Sequence, residues 1–110
     1  MCIQPELPTR HSITEDVLAS SPNFHQKKLT IPPGESTQRH FHDSTHETYI
    51  ILNGMGQITV NSETHSVKPG DMIDVPPLAV HQIHNDGMWP LVVVSTKDKP
   101  LEHDDYTPAI

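Results

Sequence analysis

Cysteine is almost absent from this chain: of 110 residues, only Cys2 is one. A lone thiol forms no internal disulfide and builds no cysteine-based zinc site. Basic residues are scarce too, 7 against 14 acidic ones, for a formal net charge of −7. Nucleic acid and anionic membrane surfaces both recruit a basic footprint, so neither is expected as a partner. Long hydrophobic runs are missing: "YIIL" and "LVVV" are the longest, far short of the roughly 20 residues that span a bilayer. The start is not signal-like, and the expected location is the cytoplasm. Extended helical periods are also lacking, and 11 prolines leave little room for them.

What is present reads as a single all-β domain. Short candidate strands alternate with turn signals. "FHQKKLTI" precedes "PPGES", "TQRHFH" precedes "DSTH", and "ETYIIL" runs into "NGMG". "QITV", "THSV", "MIDV", "VHQIHN" and "LVVVST" follow, separated by "NSE", "KPGD", "PPLA" and "DGMWP". Such regular spacing suggests a sandwich or barrel. Asn53-Gly54 is a hairpin signal, since both positions of that turn type take positive φ. Residues 1–23 read as an N-terminal arm, in which "SITEDVLAS" has the serine cap and early acids of a short helix. Residues 24–96 form the body, and 97–110 an acidic tail expected to be solvated or loosely docked. A small β domain with a modest core often pairs with a copy of itself, and a homodimer is expected.

Nine histidines are present, and three fall with a glutamate in "RHFHDSTHET", residues 39–48. Side chains alternate along a strand, so His40 and His42 share a face with Gln38, and Glu47 shares one with Tyr49 and Ile51. If "DSTH" closes a hairpin, Glu47 returns beside the two imidazoles, a facial set suited to iron, manganese, nickel or zinc. Histidine is frequent here, and a surface strand would alternate in the same way, so these ten residues alone leave the matter even. His81 adds a ligand from a distant strand, sharing its face with Ile83 and Asn85. His46 and His84 fall on the opposite faces by parity. His11, His25, His65 and His103 lack a partner at ligand spacing and are expected to be solvated. Trp89 is expected to anchor a core or an interface, and Ile73 and Val75 to line the interior.

These residues resemble the cupin superfamily. Its first motif is matched by Gly34, His40, His42, Glu47 and Gly54, and its second by Gly70, Pro76, His81 and Asn85, with Leu78 where the family usually has glycine. The motifs cover residues 34–85, and the strand pattern extends the likeness to about 24–96. The resemblance implies a double-stranded β-helix, or jelly-roll, barrel. It also implies one divalent metal held by His40, His42, Glu47 and His81, and a homodimer exchanging an N-terminal strand. Gln38 and Tyr49 are then candidates to hydrogen-bond a small-molecule substrate. The family includes dioxygenases, decarboxylases, isomerases, cyclases and non-catalytic binding modules, among which fold does not choose. No further carboxylate is placed in the cavity by sequence. The reading is therefore a metal-dependent enzyme on a small oxygen-rich metabolite, with the metal as Lewis acid or dioxygen activator. The alternative is a small-ligand binding module.

Overall fold

A computed structural model describes residues 12–109. All regular elements among them are strands: β1 (Thr14–Ser21), β2 (Phe24–Ile31), β3 (His40–His42), β4 (Glu47–Asn53), β5 (Gly56–Val60), β6 (Glu63–Val67), β7 (Met72–Val75), β8 (His81–His84), β9 (Leu91–Lys97) and β10 (Tyr106–Pro108). They form two five-stranded antiparallel sheets, β1-β2-β9-β4-β7 and β10-β3-β8-β5-β6. This is a jelly roll, and the inner faces alternate as the sequence requires. Ile31, Ile51, Ile58, Ile83, Leu91 and Val93 are almost wholly buried between the layers, where burial stabilises each by roughly 1.5–3 kcal/mol. No helix among the described residues is long and apolar enough to cross a membrane.

The motif residues outside the histidines hold the backbone. Asn85 is fully buried, and its Nδ2 donates to the carbonyls of Ile31 and Trp89, both at 2.8 Å. Its Oδ1 accepts from Gly87 N at 2.9 Å, while its backbone carbonyl accepts from Gly34 N at 2.8 Å. One asparagine thereby satisfies buried groups in two loops and joins the two motifs. Leu78 takes φ 72°, the left-handed conformation that glycine adopts without cost. The turn before His81 therefore keeps the glycine-type shape despite the substitution, and Leu78 N donates to His42 O at 2.7 Å.

Three expectations are corrected. "SITEDVLAS" is strand β1, paired with β2 from Thr14↔Thr30 to Ser21↔Phe24 with a bulge between Val17 and Ala19. An isolated helix that short is marginal, and the ladder with β2 outweighs its cap. Asn53-Gly54 does not close a hairpin, because β4 and β5 lie in different sheets. Only Gly54 has positive φ there, 79°, and a Cβ on it would lie 2.3 Å from Pro90 O. "DSTH" is likewise a crossover between sheets rather than a hairpin. Of the two readings of the tail, solvated or loosely docked, the structure takes the second and tightens it: β10 pairs with β3, Tyr106 opposite His42. Trp89 is 71% exposed, which removes the core half of its expected role and leaves the interface half.

Candidate metal centre

His40 and His42 enter the interior from β3, and His81 from the neighbouring β8, where it is the register partner of His40. Glu47 comes from β4 in the facing sheet, so the carboxylate, not the third imidazole, arrives from across the barrel. All four side chains are buried, and one ligand atom from each lies within 4.8 Å of the others. Ligand bonds of about 2.0–2.2 Å set separations on this scale.

Each imidazole is held by its outer nitrogen. Nδ1–H of His40 donates to Gln38 O at 2.7 Å, that of His81 to Ala79 O at 2.9 Å, and that of His42 to Asp105 Oδ1 at 3.0 Å. A carbonyl only accepts, so the proton sits on Nδ1 in His40 and His81, and a neutral ring then presents a bare Nε2 lone pair inward. His42 Nε2 is buried with no hydrogen-bond partner. It stands 3.7 Å from Glu47 Oε1, to which His81 Nε2 is closer at 3.1 Å. Three imidazole nitrogens and a carboxylate oxygen converge here, and the contact between His81 Nε2 and Glu47 Oε1 at 3.1 Å is the one among them within hydrogen-bond distance. A cation satisfies all four at once, so the residues fit a divalent metal.

The electrostatics favour the ligand forms. Burial lowers the His40 pKa from 6.5 to about 4, against the opposing hydrogen bond to Gln38. Burial likewise lowers that of His42, against the pull of Glu47. For Glu47 burial works toward the neutral acid, but His81, Lys97 and Ser95 together bring it down to about 2. Ser95 Oγ donates to Glu47 Oε2 at 2.5 Å, which leaves Oε1 turned to the histidines. Asp105 is also opposed by burial. Hydrogen bonds from Ser44, Thr45 and His42 outweigh it and hold the carboxyl well below its ordinary value.

The centre opens into a cavity of about 490 Å³. Gln38 lies on its wall outside β3, and its Oε1 accepts from the Tyr106 hydroxyl. Tyr49 is buried next to the centre, with its ring centroid 5.9 Å from that of His81; burial, then the charge of Glu47, keeps the phenol protonated. Tyr106 stacks on His40 at 4.3 Å. His46 and His84 bond elsewhere, to Asp74 at 2.6 Å and Ser36 at 2.5 Å. His25 is 3% exposed, not solvated, because its Nδ1 donates to Lys99 O at 2.9 Å. His65 and His103 are exposed, though His103 Nε2 lies 3.4 Å from Asp105 Oδ2. His11 lies outside the described residues.

Sequence reasoning missed Asp105, Ser95, Lys97, Lys27 and Glu15, all of which line the cavity. It is therefore richer in ionisable groups than the sequence suggested. Strand parity could have found the β2 and β9 members: His25, Lys27 and Leu29 alternate into the barrel, as do Val93, Ser95 and Lys97. Nothing periodic marks Asp105.

The fold and the buried His₃Glu cluster define a cupin with a candidate metal centre. The cupin domain family matches residues 27–97, and the chain belongs to it. An uncharacterized protein of Methanocaldococcus jannaschii is 33% identical over 94% of this chain and 86% of its own. A cupin-2 domain structure from Rhodospirillum rubrum superposes with a TM-score of 0.82 over 100% of this chain and 74% of that one, at 23% identity. Bacillus subtilis oxalate decarboxylase, which has Mn(II) centres, is 26% identical with a TM-score of 0.73, over 80% of this chain and 24% of that one.

Proposed function

We propose that this cupin is a metal-dependent enzyme acting on a small oxygen-rich metabolite, with one iron, manganese, nickel or zinc ion held by His40, His42, Glu47 and His81. The observation that supports it most is the orphaned Nε2 of His42, buried in a cluster whose outer nitrogens are already engaged. Such a metal supplies Lewis acidity toward a chelating oxygen pair or, as iron, dioxygen activation. The chain's own residues would do the rest. Asp105 and the carbonyls of Gln38 and Ala79 fix the imidazoles, and Ser95 orients Glu47. Tyr49, a protonated phenol beside the cluster, would donate a hydrogen bond to a substrate oxygen, with Gln38 as a second contact. We further propose that residues 1–23, 24–96 and 97–110 act as arm, barrel and tail, that the protein is a cytoplasmic homodimer, and that neither nucleic acid nor membrane is a partner.

The test is metal content after purification without added metal or affinity tag, wild type against His42→Ala, followed by turnover of candidate metabolites. One equivalent in the wild type, lost in the variant, is expected. Iron would favour dioxygen chemistry, and zinc, nickel or manganese Lewis-acid chemistry. A ligand bound to the metal-loaded protein and returned unchanged would replace the enzyme by a binding module. No metal in either protein, even after reconstitution, would overturn the proposal.

A further inference from the structure

Lys97 lies beside the cluster and favours the ionised Glu47 by its charge, yet it makes no hydrogen bond to any of the four residues. It sits on β9 between His25 of β2 and Glu47 of β4, its register partners on either side. Its side chain is only 19% exposed, and its Nζ stands 3.9 Å from Glu47 Oε2. That is an ion contact and too long for a hydrogen bond. Oε2 already accepts the short bond from Ser95. A half-buried ammonium on the cavity wall thus keeps its N–H donors free of protein acceptors and open to whatever fills the cavity.

The other acids around the cavity are engaged. Glu15 pairs with Lys27 at 3.2 Å. Asp105 accepts from His42, Ser44 and Thr45, and Asp104, in the exposed tail, accepts from Tyr106 N at 3.2 Å. His25 and Lys27 share the inner face of β2 next to Lys97, but each already has an acceptor, Lys99 O for His25 and Glu15 for Lys27, which leaves Lys97 as the lysine of this wall without a hydrogen-bonded acceptor among the described residues. A divalent metal on the histidine side of Glu47 would consume the carboxylate's charge and leave the ammonium less compensated still.

We infer that Lys97 binds an anionic oxygen of the metal-chelated ligand, so that the metabolite carries a second anionic group, carboxylate or phosphate, beyond its chelating oxygen pair. This rests on the metal-dependent reading above. The opposition of metal and ammonium across one carboxylate makes the ligand an acid anion rather than a neutral polyol.

The experiment uses the full chain loaded with Mn²⁺ and three probes that share a 2-hydroxycarboxylate head: glycerate, malate and 3-phosphoglycerate. Titration calorimetry should show malate or 3-phosphoglycerate binding at least about tenfold more tightly than glycerate. Whichever is preferred identifies the anionic group as carboxylate or phosphate. Lys97→Met should bring all three within about twofold while one Mn²⁺ is still retained, and Lys97→Arg should restore the preference. Equal binding of the three probes, binding of none by the loaded protein, or a preference that survives in Lys97→Met would overturn the inference. Failure to take up Mn²⁺ at all would instead remove the metal-dependent reading on which it rests.

Discussion

Asp105 is the residue through which the C-terminal tail reaches the candidate metal centre, and its removal has a calculable effect. Its carboxylate accepts from His42 Nδ1 at 3.0 Å, Ser44 N at 2.8 Å and Thr45 Oγ1 at 3.0 Å. The His42 side chain is 5% exposed and that of Asp105 11%, so water does not readily replace the lost acceptor. In Asp105→Ala a buried imidazole N–H is left unsatisfied, which costs about 1–3 kcal/mol. The ring is then free to tilt or to change tautomer, and loss of such an outer partner lowers metal affinity by about 10–100-fold. Asp105→Asn keeps an acceptor oxygen but gives up the charge and one of the shared bonds, so its loss should fall at the low end of that range. The assay is competition for Mn²⁺ or Zn²⁺ against a chelator of known affinity. Urea unfolding of the metal-free proteins, read alongside it, shows whether the barrel persists. Glu102→Ala, an exposed acid of the same tail, controls for general charge and should bind metal as the wild type does. A folded Asp105→Ala protein with wild-type metal affinity would refute the positioning role.

Two further outcomes follow from the same geometry. In the metal-free protein, His40 and Glu47 both have pKa values below their ordinary ones, about 4 against 6.5 and about 2 against 4.5. The unfolded chain therefore binds more protons than the folded one, and stability falls as pH falls. The His40 loss runs from about 6.5 down to 4 and the Glu47 loss from about 4.5 down to 2. Urea midpoints unchanged between neutrality and the lower end of the His40 window would contradict this. Leu78→Gly should stabilise the fold by about 1 kcal/mol, since relief of the left-handed penalty exceeds the added chain entropy. The leucine side chain is 63% exposed, so little buried surface is lost, and a lower unfolding midpoint would show that the leucine does more than occupy the turn.

The eight strands from β2 to β9 were legible because strand alternation is local. "FHQKKLTI" and "MIDV" coincide with β2 and β7, and the parity that puts His40, His42, Glu47, Tyr49 and His81 inside follows from the same period of two. Sheet membership was not legible in that way. "DSTH" and "NGMG" have the length and chemistry of hairpin turns, yet each carries the chain across to the opposite sheet. Turn propensity reports local φ and ψ; it says nothing about whether the next strand finds its neighbour beside it or facing it.

The tail shows the same limit from the other side. "HDDY" has no apolar period, and an acidic segment at a chain end reads as solvated or loosely docked by composition. Its docking depends on Asp105 meeting three donors from residues 42–45, a match 60 or more residues apart in sequence that only the jelly-roll crossover creates. The candidate ligand histidines are thus a property of two strands and a parity rule, whereas their orientation is a property of the closed barrel. A search of sequences for the motif alone would find the donors but not the carboxylate that aims one of them. Metal affinity among chains with identical motifs should therefore vary with what stands at the position of Asp105.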